Sequence, residues 1–197
     1  MATIRLTTER DAAAIAAIYG AFVTATPISF EVDPPTADEI RRRIMERRGR
    51  WPWLVCEDRG QVLGYAYAGR FRERAAYQWA VDLSLYVRGD RHRSGIGRAL
   101  YVSLFEILRL QGYYVAYADI TLPNPASVGL HESLGLRPLG VYRKVGFKLG
   151  AWHDVGCWEL QLQAPPPNPA PPAPLDAVEA SPGWAAAVAA GLPYLRL

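Results

Sequence analysis

Apolar and polar positions recur along this chain with periods that place most of its elements. Residues 3–7 read as a short strand with Ile4 and Leu6 on one face. Thr8-x-x-Asp11 then opens a helix through Ile15, Ile18, Tyr19 and Phe22, ended by Pro27. Pro34-Pro35 is a rigid break, and Thr36-x-x-Glu39 is a capping box starting a second helix through Ile40 and Ile44. Strands over 53–57 and 62–69 flank Asp58-Arg59-Gly60, a hairpin turn. A longer, more buried strand falls within 77–87. After a basic, glycine-punctuated loop, a helix runs from about 96 to 110 with Leu100, Leu104, Ile107 and Leu108 inward, and Gly112 caps it. A strand over 113–121, a short helix stopped by Gly135, and strands over 141–148 and 155–162 complete the pattern. This order predicts an α/β or mixed α+β sheet, and no internal repeat is present.

Composition divides the chain. Of its 16 prolines, seven precede residue 164 and nine follow. The run Pro165–Pro174 favours extended polyproline II and excludes helix or central strand. Residues 1–163 are therefore expected to form one domain, with 164–197 a Pro/Ala-rich tail. Residues 183–197 are apolar enough for a short helix, either packed on the domain or mobile. Half of the 197 residues are hydrophobic, which excludes a wholly disordered chain. With two cysteines, Cys56 and Cys157, one bridge is possible but a disulfide-stapled scaffold is not. No metal is expected, since no CxxC occurs and the three histidines are far apart in sequence. Neither a signal peptide nor a membrane span is read, so a cytoplasmic protein without membrane contact is expected. The basic stretch 41–50 suits an exposed helix face diluted by Glu46, so nucleic acid is not expected as a partner.

The richest segment is Tyr86-Val87-Arg88-Gly89-Asp90-Arg91-His92-Arg93-Ser94-Gly95-Ile96-Gly97-Arg98. It leaves a strand and enters a helix, so bare glycines, free helix-terminal N–H groups and arginines converge, which suits a pyrophosphate. A solvated turn would show the same glycines. It is neither a Walker loop nor the dinucleotide fingerprint, because Leu100 stands where the third glycine would be.

His92-Arg93-Ser94-Gly95-Ile96-Gly97 resembles the Q/R-x-x-G-x-G/A loop of the GNAT superfamily of N-acetyltransferases, with His92 at the Gln/Arg position. Segments such as Trp51-Pro52-Trp53-Leu54-Val55, Leu122-Pro123-Asn124-Pro125-Ala126-Ser127, Leu130-His131-Glu132-Ser133-Leu134-Gly135 and Gly150-Ala151-Trp152-His153-Asp154 are similar to its phosphinothricin and methionine sulfoximine acetyltransferase branch. The similar segments quoted span 51–156, and the tail lies outside.

The resemblance implies the GNAT fold, a central twisted, mostly antiparallel sheet with helices on both faces. It implies acetyl transfer from acetyl-CoA to the amine of a small amino-acid-like acceptor by direct attack, without a metal. It places the cofactor against Leu85, Tyr86, Val87, Arg93, Ser94, Gly95, Ile96, Gly97, Arg98, Asn124 and Ser127. The general base maps to Asp82, where the family has Glu, and His131 stands where many relatives have a thiolate-protonating Tyr. Arg72 and Arg74 would clamp acceptor oxyanions, with Phe30, Tyr77 and Trp79 as walls. His153 reads as structural. A homodimer is implied as well. The alternative is a catalytically weak acyl-CoA-binding sensor of the same fold.

Overall fold

In the computed structural model, which describes residues 2–197, seven strands form one sheet in the order β1-β2-β3-β4-β5-β7-β6. They are β1 (Thr3–Leu6), β2 (Trp53–Asp58), β3 (Gln61–Arg70), β4 (Ala80–Val87), β5 (Val115–Leu122), β6 (Arg137–Lys148) and β7 (Ala151–Gln161). All neighbouring pairs are antiparallel except β4–β5, which is parallel. The helices are α1 (Ala12–Ala25), α2 (Ala37–Arg47), α3 (Ile96–Gln111), α4 (Pro125–Ser133), α5 (Leu175–Glu179) and α6 (Trp184–Ala189).

Two apolar cores cover the two sheet faces. Leu54, Ala66 and Ala68 pack with Leu100, Leu104 and Leu108 of α3. Trp53, Val55 and Tyr65 pack with Ile15, Ile18 and Val23 of α1 and Ile40 and Ile44 of α2. Residues 53–55 and 65–68 thus alternate between cores, as the period of two requires. On β4, Val81 and Leu83 join the α3 core, whereas Tyr86 packs on the α1 side. Asp82, of opposite parity to Val81 and Leu83, shares the α1 face with Tyr86.

Local chemistry sets the ends of elements. Thr36 accepts the Glu39 backbone N–H at 3.2 Å, which starts α2. The reciprocal half of the expected capping box is not made, because the Glu39 carboxylate is held by Arg42 and Arg43. Arg59 (φ 50°) and Gly60 (φ 77°) form the β2–β3 turn, with both central residues left-handed as a type I′ turn demands. Gly112 (φ 86°) ends α3. The β6–β7 hairpin is longer than the expected 141–148 and 155–162, since Arg137–Val145 are exposed and show no one-sided apolar pattern.

Residues 164–197 pack against the rest of the chain. Leu175 and Ala187 are buried in the α3 core. Gln111 donates through Nε2 to the carbonyls of Arg50 and Ala173, and the Leu175 amide donates to the Gly49 carbonyl.

Candidate functional site

The sheet opens in its middle. Strands β4 and β5 pair only at Ala80↔Val115, Val81↔Ala116 and Asp82↔Tyr117. Beyond that point β4 stays with β3 as far as Val87↔Gly64, while β5 stays with β7 as far as Leu122↔Asp154. A V-shaped cleft therefore starts at Asp82, and the edge of β4 over Leu83–Val87 is left without a β5 partner. Its N–H and C=O groups are available to a ligand lying along the strand.

Asp82 stands at the apex of this cleft. Its side chain meets solvent, yet protein atoms surround the carboxylate. That desolvation, and then the like charge of Asp119, push its pKa up to about 7, against the opposing pull of Arg72. A cavity of about 280 Å³ lies alongside, lined by Phe71, Arg72, Tyr117, Asp119, Tyr142 and Cys157 among others. Phe71 stacks on Tyr117 at 4.2 Å between centroids, and the Arg72 guanidinium lies 4.8 Å from the Phe71 ring centre. Phe71, Tyr117 and Asp119 were not singled out from sequence. The parallel pairing that brings β5 beside Asp82 is their signal, and it joins residues far apart in the chain. A larger groove, about 690 Å³, runs outside α1 to Arg88, Gly89 and His92 and does not include Asp82.

Burial pushes both thiols up to about 11, with Asp119 adding to the effect at Cys157. Neither is an activated nucleophile near neutral pH, so the site favours direct attack by an amine over an acyl-cysteine.

The loop after β4 has the expected geometry. Arg93 (φ 63°) and Gly95 (φ 78°) are both left-handed, and Gly95 is the residue before the first turn of α3. Ser94 donates from its hydroxyl to the Arg91 carbonyl. The Arg98 guanidinium donates to the Ser133 hydroxyl at 2.8 Å and so links α3 to α4. Gly97 is enclosed: a Cβ there would lie 3.0 Å from Leu130 and 3.1 Å from Leu85. Ile96 is buried in the α3 core, with Leu85 and Val87 packed against it. Tyr86 meets Tyr19 and Phe22 edge-on. Along β4 it is thus the backbone, more than these side chains, that faces the cleft.

On the other wall, Asn124 is the N-cap of α4, its Oδ1 accepting the Ser127 amide at 3.1 Å. His131 is interior. Its Nδ1 donates to the Ser127 carbonyl at 2.8 Å, and its Nε2 pairs with the Tyr101 hydroxyl at 3.1 Å. Burial lowers its pKa. A neutral imidazole with both nitrogens engaged fits an internal brace, and the geometry does not supply the proton donor expected of it.

Of the expected acceptor contacts, Arg72 lies beside Asp82, whereas Arg74 and Tyr77 sit on the exposed connection before β4. Tyr77 meets Phe71 edge-on at 5.9 Å. Phe30, in the α1–α2 connection, packs on Gly146 of β6 and faces His153. The neighbouring Ser29 carbonyl accepts from the Lys148 ammonium at 2.6 Å, which pins this connection to β6. Trp79 serves elsewhere, since its indole N–H donates to the Ala170 carbonyl. His153 pairs with the Lys148 carbonyl at 3.0 Å, a structural contact. The α2 arginines Arg41, Arg42 and Arg43 are paired with Asp38, Glu39, Glu46 and Glu31.

Comparison with known proteins agrees with this architecture. The family model described as Acetyltransferase (GNAT) domain matches residues 4–156. The phosphinothricin N-acetyltransferase of Streptomyces viridochromogenes is 39% identical over 170 residues, covering 86% of this chain and 93% of that protein. The L-methionine sulfoximine/L-methionine sulfone acetyltransferase of Pseudomonas paraeruginosa is 37% identical, covering 82% and 95%. A crystal structure of a GNAT phosphinothricin acetyltransferase from Sinorhizobium meliloti in complex with AcCoA superposes with a TM-score of 0.80 at 32% identity, covering 86% and 96%. The chain belongs to the GNAT acetyltransferase family.

Proposed function

We propose that this GNAT acetyltransferase moves the acetyl group of acetyl-CoA to the amine of a small amino-acid-like acceptor, of the kind represented by phosphinothricin and methionine sulfoximine, with Asp82 as the general base. The parting of β4 and β5 immediately after Asp82 carries this reading. It sets one carboxylate, with a pKa near 7, where an acceptor entering from the α1 face meets a ligand lying along β4. Such a base is ionised near neutral pH and still basic enough to take an ammonium proton. The residues fit the cofactor: a left-handed turn at Gly95, the start of α3 and nearby arginines suit the pyrophosphate, and the unpaired β4 edge suits the amide-bearing arm.

Acetyl-CoA supplies an electrophilic thioester carbonyl and a thiolate leaving group. The β4 edge orients the arm, and an N–H there polarises the carbonyl oxygen. Asp82 accepts one proton of the acceptor ammonium and frees the lone pair that attacks the carbonyl carbon; the nitrogen of the adduct gives its second proton to solvent as the C–S bond breaks and the amide forms. Arg72 holds an acceptor oxyanion, and its positive charge opposes the rise of the Asp82 pKa. The departing thiolate is only weakly basic, so a solvent proton suffices and His131 is not needed.

We assign catalysis to residues 1–163 and treat 164–197 as a brace. We further place the enzyme in the cytoplasm, which two free cysteines suit, as a homodimer. Support for the dimer is the edge strand β6, where Val145 and Phe147 are 54% and 60% exposed. The decisive experiment is thiol release from acetyl-CoA, with mass detection of product, over phosphinothricin, methionine sulfoximine, methionine sulfone and ordinary amino acids. An acetylated α-amine is expected. Saturable acetyl-CoA binding without turnover on any amine would reject catalysis and leave a sensor.

A further inference from the structure

The tail ends against the loop that enters α3, and its path there is closely specified. Ser103, fully buried on α3, donates to the Val188 carbonyl at 2.8 Å and accepts the Gly191 amide at 3.1 Å. A Cβ at Gly191 would stand 1.9 Å from the Ala99 carbonyl oxygen, so the tail touches the helix backbone there and admits no side chain. Three residues on, the Tyr194 carbonyl oxygen lies 1.9 Å from where a Cβ of Gly95 would be. The Arg196 amide donates to the Ser94 carbonyl at 2.8 Å. The Arg98 guanidinium lies 5.7 Å from the centre of the Tyr194 ring.

These contacts fall on the strained part of the loop. Arg93 is left-handed without being glycine, a conformation that surrounding structure must hold in place. The Ser94 carbonyl and the bare face of Gly95, the next two residues, are what the tail grips. The loop would present its amides to a phosphate only if this turn is kept, and the strap supplies the bond that keeps it.

We propose that residues 191–197 form a strap that positions the Ser94–Gly95 turn, so that affinity for the phosphate-bearing end of acetyl-CoA depends on the tail. The proposal rests on the loop being the pyrophosphate site in the function given above. Tyr194 and Arg196 are positioning residues in this scheme, and the strap takes no part in proton transfer at Asp82.

The test compares the full chain with a variant lacking 191–197 and with Gly191→Val, using acetyl-CoA and S-acetylpantetheine, a thioester without the pyrophosphate. Loss of the strap is expected to raise the acetyl-CoA KM about tenfold, equivalent to ~1.4 kcal/mol. Turnover number should stay within about twofold, and kcat/KM for S-acetylpantetheine should be unchanged. Hydrogen exchange at Ser94–Arg98 in the ligand-free protein should quicken. An acetyl-CoA KM within about twofold of the full chain overturns the proposal, as does an equal loss with both thioesters. If both variants fail to fold, Ser103→Ala removes the anchor bonds at little cost in volume and is held to the same outcomes. Failure of the underlying reading is distinct: the unaltered chain would then show no saturable acetyl-CoA binding, while the exchange comparison still reports whether the strap holds the turn.

Discussion

Removing the Asp82 carboxylate should cost most of the catalysis and all of its acid limb. Desolvation and Asp119 raise this group from an ordinary 3.8 to about 7. In the intact enzyme, log(kcat/KM) should therefore rise with unit slope and level off above pH 7. At pH 6 about a tenth of the carboxylate is ionised, so activity should be about a tenth of the plateau. Asp82→Asn keeps shape and removes basicity, and general-base catalysis is worth roughly 10²–10⁴ in rate. Acetyl-CoA affinity, measured by calorimetry, should change little, since the proposed cofactor contacts are the loop and the β4 edge rather than Asp82. Asp119→Asn removes the like charge and should move the limb to lower pH, leaving the larger effect of desolvation in place. The assay is initial-rate thiol release between pH 5 and 9, with a saturated and a limiting acceptor series. Wild-type activity in Asp82→Asn at every pH refutes the base assignment. An unmoved limb in Asp119→Asn refutes the like-charge contribution.

Arg72→Ala should raise the acceptor KM by about tenfold or more and shift the acid limb upward, because an opposing positive charge is lost beside Asp82; Michaelis curves at several pH values check both. Asp82→Glu lengthens the carboxylate by one methylene to the residue the family resemblance implies, and turnover should rise if reach limits proton transfer; a fall in single-turnover rate argues against that. Arg5 binds both oxygens of buried Asp11 at 2.8 Å and also Glu57. Burial raises the Asp11 pKa, but Arg5 and the Thr8 amide outweigh it and hold the pKa below its ordinary value. Arg5→Ala should thus cost about 2–3 kcal/mol in urea denaturation at pH 7. That difference should be complete above the unfolded-state pKa near 3.8 and fade as pH falls through the lower folded-state value. For the proposed homodimer, Phe147→Asp on the exposed β6 edge should weaken self-association at least tenfold by sedimentation; an unaltered chain that sediments as a monomer refutes the dimer, and an unchanged oligomer in the variant refutes an interface at β6.

The elements with a strong apolar pattern were legible in the sequence. Continuous apolar runs on either side of a turn gave β2 and β3, helical spacing gave α3, and Gly112, Thr36 and the Arg59-Gly60 turn marked their ends. The β6 start was not legible, because a strand exposed on both faces carries no such pattern. The loop was readable as local chemistry, since Gly95 and Gly97 are adjacent to the helix they begin. The cavity beside Asp82 was not: Phe71, the β5 pair Tyr117 and Asp119, and Cys157 come from three separate stretches, joined only when β4 pairs in parallel with β5 and β5 with β7. His131 shows the converse difficulty. Its motif is conspicuous, but whether a histidine faces a cleft or the interior depends on how α4 packs, and Tyr101 and the Ser127 carbonyl take both its nitrogens.

Two separate demands meet at Gly95. Read locally, its missing side chain lets backbone amides approach a phosphate. In the fold the same bare position is met by the Tyr194 carbonyl, at 1.9 Å from the place of a Cβ. A bulky residue there is strained by the left-handed backbone and also collides with the strap, so lost acetyl-CoA affinity in Gly95→Val would not by itself identify a phosphate contact. The two roles separate at other positions. Removing 191–197 frees the turn without adding a side chain at Gly95, whereas Arg93→Ala removes a charge and leaves the strap seated. A phosphate site braced from outside predicts loss in both, with a weakened salt dependence of acetyl-CoA binding in Arg93→Ala alone.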